Sequence, residues 1–439
     1  MTNAHHPPYP AYKPSGVDWL GDIPAHWEVR RLKFVASINP DTLPETTPKD
    51  YAFEYIDIGN VSSDGRVSAT QEYTFEIAPT RARRKVQVGD TIISTVRTYL
   101  QAIAFIEDHL SNCIVSTGFA VLRPKENVHP RFLYYLVRSQ GFVDAVMAHS
   151  NGVSYPAINP TSLAGLWGLL PPLAEQRAIA EYLDRETAHI DALIAKKRAL
   201  IDLLERQRTA LISHAVTRGL NPAVPLKPSG VDWLGEIPAH WEVRRLKYMC
   251  QRYAIYGANE PASNYLSEGV RFLRTSDIDD FGNLIDASPV YLQRDAVRDY
   301  LLDDGDLLLS RSGTIGRSFL YSVEKHGECA YAGYLVRFSL KKEYYPKYVF
   351  YFTKSAAFYD WLGLSVIQST IGNVNGQKYA NLLVSVPPLT EQRAIAEYLD
   401  RETAQIDRLK GEVEASIDLL QRYRTALISA AVTGKIDVR

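Results

Sequence analysis

Three cysteines and three methionines are spread through 439 residues. Cys113, Cys250 and Cys329 are too few and too scattered for a disulfide framework or a zinc site. No apolar run approaches the ~20 residues of a membrane helix. The opening "MTNAHHPPYPAY" lacks the basic-then-apolar pattern of a secretion signal and reads as a loose arm; the cytoplasm is the expected compartment. A charge excess is missing too. The formal net charge is −1, so any basic surface must be local. Phosphate-cradle (GxxxxGKS/T), dinucleotide (GxGxxG), zincin (HExxH) and nucleophile-elbow (GxSxG) patterns are all absent. "HPPY" at His6–Tyr9 faintly resembles the Asp/Asn/Ser-Pro-Pro-aromatic loop of amino-methyltransferases, but it precedes any strand and lacks the acidic or amide first residue. Histidines and carboxylates form no ligand-spaced cluster. A chain that is 46% hydrophobic and 23% charged, with no catalytic constellation, reads as a globular binder without metal or cofactor.

What is present is repetition. "KPSGVDWLGDIPAHWEVRRLK" starts at Lys13 and returns at Lys227 with one change, Asp22 to Glu236. "EQRAIAEYLDRETAHID" starts at Glu175 and returns at Glu391 as "EQRAIAEYLDRETAQID", 216 residues on. Weaker matches fill the gap at that offset: "GDTIIS" and "GDLLLS", Cys113 and Cys329, "HPRFLYYLVRS" and "YPKYVFYFTKS", "LLPPL" and "SVPPL". So long a period excludes a solenoid and indicates one duplicated domain-sized unit. The flanks are nearly identical, whereas the interiors, 34–168 and 248–384, agree only in outline. Duplication without functional meaning predicts even drift. The unevenness instead points to two copies of one partner on the flanks and two different ligands of one kind in the interiors.

Each unit opens with short β-like runs, "YAFEYIDIGNV", "DTIISTV", "QAIAFIE" and "CIVSTGFAVLR" in one, "VRFLRTSDI", "DLLLSRS", "RSFLYSV" and "YLVRFSL" in the other. A helix with Pro130 or Pro346 in its first turn follows, and then a last strand ending at Pro171-Pro172 or Pro387-Pro388. The fold class is α+β, two duplicated domains at 1–170 and 221–386, each followed by a long helix, at 171–220 and 387–439. From about Ala174 to Ser213 there is no Pro or Gly. Residues recur at heptad spacing: Leu183, Thr187, Ile190, Ile194, Lys197, Ile201, Leu204, Arg208 and Leu211, and again Leu399, Thr403, Ile406, Lys410, Val413, Ile417, Leu420, Arg424 and Leu427. Gly219 and Gly434 stop the helices. Such a stripe needs a partner; a pseudo-twofold between the units would pair the helices antiparallel as a coiled coil. The register is not readable, because Ile194 corresponds to Lys410 and Lys197 to Val413.

Basic and polar runs mark candidate DNA contacts. "RARRK" supplies Arg81, Arg83, Arg84 and Lys85, with Arg97 beyond it; "NGVSYPAIN" supplies Asn151 and Tyr155. In the second unit "SRSGTIGR" supplies Arg311, Thr314 and Arg317, and "NVNGQK" supplies Asn373, Asn375 and Lys378. Arg and Lys suit phosphates, and Asn, Gln and Arg can read base edges. For each run alone, a solvated face is the commoner explanation. Trp19, Trp27, Trp233 and Trp241 lie in the identical flanks and read as core, since identical residues cannot distinguish two targets.

"PPLAEQRAIAEYLD" from Pro171 and "PPLTEQRAIAEYLD" from Pro387, each opening a long helix after a divergent domain, resemble the specificity subunit of type I restriction–modification enzymes; "SGVDWLGDIPAHWEVRRLK" and the "GD-apolar-S" strands are similar to that family as well. The resemblance covers essentially the whole chain. It implies a non-catalytic reader of double-stranded DNA, each domain binding half of a bipartite asymmetric site, with the helices as spacers docking two methyltransferase subunits. Those partners would carry S-adenosylmethionine, and a restriction–translocase subunit would complete the assembly, with no role for a membrane. B-DNA repeats about every 34 Å, so a long-helix spacer can set two readers near one turn apart, and tethering multiplies their specificity. Two alternatives remain open: a scaffold with no DNA function, which predicts no sequence-dependent shift with duplex, and a self-sufficient modifying enzyme, which predicts S-adenosylmethionine binding by the isolated chain.

The repeat yields a direct test. "VTRGLNPAVPLKPSG" from Val216 begins like "VTGKIDVR" from Val432 and ends like "AYKPSG". Residues 1–220 alone are therefore expected to dimerise and, with the methyltransferase, to modify an inverted repeat of the first half-site. Light scattering and methylome sequencing check this; a monomer, or a fragment still needing the second half-site, contradicts the closed twofold.

Overall fold

The computed structural model describes residues 7–152, 154–366 and 373–439. His6 of the "HPPY" stretch and Val153 of "NGVSYPAIN" lie outside them. The chain forms two units, residues 1–197 with 414–439, and residues 198–413.

In the first unit the apolar runs Thr91–Ser94 and Phe119–Pro124 form the middle of an antiparallel sheet flanked by Ala36–Ile38 and Ile103–Phe105. Phe119 faces Ser94 across the ladder. A second sheet joins Gln71–Thr74, Ala52–Ile56, Ile114–Ser116 and Ala82–Lys85, with Ile114–Ser116 parallel to Ala52–Ile56. "CIVSTGFAVLR", read as one run, is two strands, because the chain leaves one sheet at Ser116 and enters the other at Phe119.

The second unit repeats this. Cys250–Tyr256, Leu335–Leu340, Leu307–Ser310 and Ser318–Leu320 make one sheet, in which Leu335 faces Ser310 in the equivalent register. Tyr291–Leu292, Val270–Leu273 and Cys329–Tyr331 make the other, and where the first unit has the strand Ala82–Lys85 the second has a single antiparallel bridge, Leu301 to Ala330. Short helices Pro130–Arg138 and Pro346–Phe352 start on proline, whose fixed φ suits the first turn and whose missing N–H costs nothing there. All three cysteines are buried and free, and burial pushes their thiols up, Cys250 to about 12.

The copied flanks are neighbours in space. Glu28–Arg31 pairs with Trp167–Leu170, and Glu242–Arg245 with Leu383–Val386, so the opening and closing stretches of each unit share a ladder. Trp27 and Trp241 are fully buried, and Trp19 and Trp233 are half-buried.

The "PPL-x-EQ" motif fastens each long helix to its sheet domain. Gln176 is fully buried; its Oε1 accepts from His129 N at 2.8 Å and its Nε2 donates to Pro171 O at 2.8 Å and Asn127 O at 3.1 Å. Gln392 repeats this with Tyr345 N and Pro387 O, both at 2.8 Å. Glu175 accepts from Trp27 Nε1 at 2.9 Å and lies 2.7 Å from His26 Nε2. About two turns on, Tyr135 donates to Asp184 and Tyr351 to Asp400, both at 2.7 Å.

The long helices span Leu173–Arg218 and Leu389–Val432, the first running past Ser213. Each ends on a left-handed glycine, Gly219 at φ 74° and Gly434 at φ 70°. Space reinforces the choice at Gly434, where a Cβ would lie 2.4 Å from Pro24. The tail then docks on the first strands: Tyr12 Oη donates to Gly434 O at 2.9 Å, Lys435 Nζ to Asp22 O at 2.9 Å, and Asp437 N to Pro7 O at 3.0 Å.

Each unit contains an antiparallel pairing of helix segments. In the first, Leu183, Ile190 and Ile194 share a core with Leu420 and Leu427, Ile417 packing at its edge, and Arg424 Nε meets Asp191 at 3.0 Å. In the second, Leu204, Leu399, Thr403 and Ile406 are buried, and Ile201, Leu211 and Val413 half-buried. There Arg208 meets Asp407, and Lys410 meets Glu205 at 2.6 Å. Asp191–Arg424 and Asp407–Arg208 are one ion pair made twice, since Asp407 and Arg424 stand 216 residues after Asp191 and Arg208. A buried leucine is worth roughly 1.5–3 kcal/mol and an ion pair at the surface at most about 1 kcal/mol. The leucines therefore supply the stability and the ion pairs select the register.

Adjacent leucines test this. Leu420 is 7% exposed and Leu419 67%. Leu420→Asp buries an unpaired carboxylate and is expected to cost the full chain about 3 kcal/mol or more in urea unfolding. Leu419→Asp should stay within about 0.5 kcal/mol of the parent. Equal effects would refute the seam.

Candidate nucleic-acid interface

Each unit carries one exposed turn on one rigid frame. The "GD" preceding the central strand builds its base. Gly89 (φ 90°) and Gly305 (φ 83°) take a left-handed conformation. The buried carboxylates that follow each accept a backbone N–H at 2.9 Å, Asp90 from Gln87 and Asp306 from Asp303. Asp90 also receives both forks of Arg123, at 3.0 and 2.9 Å. Burial pushes the Asp306 carboxyl up, while Ser339 and Arg337 hold it down.

Beyond the strand the turn is held by the same two backbone bonds in both units. Thr95 N donates to Gly118 O at 2.7 Å, and Ile158 N to Thr95 O at 2.9 Å. At the equivalent positions Arg311 N donates to Tyr334 O at 2.9 Å, and Val374 N to Arg311 O at 3.0 Å. Asn159 and Asn375, also equivalent, both cap a short helix, accepting from Ser162 N at 2.8 Å and Lys378 N at 2.9 Å. Asn375 therefore has a framework role.

The side chains on this frame differ. Thr95, Val96, Arg97 and Gly118 stand where the second unit has Arg311, Ser312, Gly313 and Tyr334. In the first unit Arg97 is exposed with its guanidinium 5.0 Å from the Tyr155 ring centroid. Asn151 is exposed beside them, bridged through its backbone to Ala157, which also bridges Val96. In the second unit Arg311 lies 4.9 Å from the Tyr256 ring centroid, and Tyr256 Oη accepts from Gly376 N at 2.9 Å. Thr314 is exposed, and Asn373 has a buried Oδ1 with no partner among the described residues. Arg317 is tied to Asp280 at 2.8 Å, and Lys378 Nζ to Ser365 O at 2.5 Å. A cavity of about 640 Å³ adjoins this turn, lined by Tyr265, Arg274, Thr275, Ser312 and Tyr334 among others. Tyr256 and Tyr334 escaped sequence reasoning. Aligning the copies residue by residue would have flagged Tyr334 opposite Gly118.

"RARRK" is a strand rather than a loose basic run. Arg81 pairs with Asp57 at 2.8 Å. Arg83 is half-buried over Phe75, its centroid 4.6 Å away. Arg84 is half-buried with its Nε unpartnered among the described residues, and burial lowers its pKa. Lys85 is exposed.

A cation, half-buried in the first unit and buried in the second, pins a second turn in each. Arg138 donates to Ser63 O at 2.8 Å, and Lys354 to Asp280 O at 3.0 Å and Ser318 O at 3.2 Å. Burial pulls the Lys354 ammonium down to about 7, with Asp279 opposing.

Comparison with known proteins agrees with this duplicated design. The family described as the type I restriction modification DNA specificity domain matches residues 24–203 and 238–418. A putative type I restriction enzyme MjaX specificity subunit from Methanocaldococcus jannaschii is 27% identical over 430 residues, covering 96% of each chain. The EcoKI specificity subunit of Escherichia coli K12 is 23% identical over 336 residues, 74% of this chain and 70% of that one. A chain solved in work on complex assembly and conformational transition of the type I R-M system shares the fold, with a TM-score of 0.72 at 24% identity over 93% of this chain and 98% of that one.

Lys354 makes a pH-dependent contribution with a definite sign. The unfolded chain keeps this proton up to its ordinary pKa of 10.5, whereas the folded chain releases it near 7. Between those values the unfolded state binds more protons, so folding gains stability as pH rises. Measured by urea unfolding, the parent should gain on Lys354→Met from pH 7 to 10 and run parallel to it below about pH 6. Parallel curves throughout would mean the amine titrates normally.

Proposed function

Because this chain belongs to the family of type I restriction modification DNA specificity domains, we propose that its two units read the two halves of a bipartite, asymmetric DNA site. The supporting observation is the turn after each central strand, with identical backbone anchoring and different side chains. A common frame carrying Arg97 with Tyr155 in one unit and Arg311 with Tyr256 in the other suits two readers with two targets. Stacked arginines are pre-organised and present a planar donor edge, the geometry that pairs with guanine in the major groove. Arg81 and Lys85 fit phosphate contacts, which position without reading.

The long helices would dock two methyltransferase subunits, and through them the restriction subunit. Their identical opening stretches, "EQRAIAEYLDRETA" from Glu175 and from Glu391, fit two copies of one partner. S-adenosylmethionine and methyl transfer would belong to that partner, making this chain the non-catalytic reader of a cytoplasmic complex. No described helix is long and apolar enough to cross a membrane.

Methylome sequencing of cells expressing this chain with its methyltransferase subunit tests the reading. The expected result is adenine methylation at one asymmetric motif of two specific parts and a non-specific spacer, each mismatch in either part costing roughly 1–3 kcal/mol in binding. Binding without sequence preference, or a single continuous motif, would overturn it.

A further inference from the structure

Arg97 occupies a backbone conformation that an arginine does not favour. Its φ and ψ are 50° and 49°, the left-handed region. Such a residue is held at a cost, and these positions concentrate at functional sites. The equivalent position of the second unit supplies the control. Gly313 is left-handed too, at φ 74°, and a Cβ there would meet nothing within 4 Å. The turn therefore calls for a left-handed residue in both units and glycine satisfies it without strain, yet the first unit carries arginine.

The side chain is the remaining reason. Arg97 is exposed and stacked on Tyr155, itself 66% exposed. Among the described residues no carboxylate pairs with it, whereas Arg81 is paired with Asp57 and Arg317 with Asp280. The turn beneath is stapled by Thr98 Oγ1 to Ser150 Oγ at 3.0 Å and by the Val96–Ala157 bridge. A rigid base, a flat aromatic support and an unneutralised guanidinium together make a donor fork aimed outward.

We propose that Arg97 is the specificity-determining residue of the first unit and reads a guanine through its N7 and O6 edge. This rests on the DNA-reading function proposed above. The second unit makes its equivalent contact from Arg311, two positions earlier on the same frame, where Gly313 leaves the turn unstrained.

The test uses the full chain with its methyltransferase subunit, comparing the parent, Arg97→Gly and Arg97→Lys by methylome sequencing and by binding to duplexes varied at each motif position. Arg97→Gly should melt at or above the parent temperature, because the strain is gone. It should lose about 5- to 150-fold discrimination at one position of one half-site, the worth of a single bidentate contact, and that position should carry guanine in the parent motif. The other half-site should be unchanged. Arg97→Lys keeps the charge and the salt dependence but should lose the same discrimination. Uniform weakening on all sequences with a salt slope lower by about one would make Arg97 a phosphate contact and overturn the proposal. Unchanged discrimination, or relaxation at an A·T pair, would overturn it too. These failures leave the parent motif intact; a parent without any motif removes the DNA-reading function and this proposal together.

Discussion

A buried side-chain amide carries the join on which each unit depends. Gln176 and Gln392 sit at the point where a long helix leaves a small sheet domain, and each satisfies backbone groups on both sides of it. An unpaired buried polar group costs about 1–3 kcal/mol, so no apolar residue of the same size can replace this glutamine. The glutamate before it serves the same join through Trp27, or through His240, which lies 2.9 Å from Glu391. Short hydrogen bonds thus fix the start of each long helix to its own sheet domain.

The long helices then meet different demands at different points. Leucines provide most of the energy, but a row of leucines slides easily. The ion pair made twice, Asp191 with Arg424 and Asp407 with Arg208, selects one alignment. Glu205 with Lys410 has no counterpart, since Ile194 stands where the repeat places Lys410. One half of the duplication is therefore more polar at the seam than the other, and the ion pair compensates for the missing apolar contact.

The contrast between frame and reader runs through both units. Gly89, Asp90, Asn159 and their counterparts Gly305, Asp306 and Asn375 build a strand end and a capped helix that need no knowledge of any ligand. Thr95, Val96, Arg97 and Gly118 differ from Arg311, Ser312, Gly313 and Tyr334 on identical backbone bonds. Local hydrogen bonding constrains the first set, because a changed cap or left-handed glycine destabilises the turn. The fold asks of the second set only a left-handed residue at Arg97 and Gly313 and a small one at Gly118, which leaves the rest open to selection by what the turn touches.

The sequence by itself determined the duplication, the α+β class, the two long helices with their glycine stops and the family, because each rests on local chemistry or on repetition that needs no coordinates. Pro130 and Pro346 mark helix starts, Gly219 and Gly434 mark helix ends, and the leucine heptads mark a buried stripe. Tertiary structure alone decided the register of the helix segments, since Asp191 and Arg424 are 233 residues apart and Ile194 opposite Lys410 in the repeat left the pattern ambiguous. It also decided which charges are free. "RARRK" reads as an exposed patch until strand pairing turns Arg84 inward and brings Asp57 to Arg81. Arg97 reads as one arginine among many until its left-handed φ and the ring of Tyr155 are seen. Burial, pairing and backbone strain depend on groups far apart in the chain, and only folding brings those groups together.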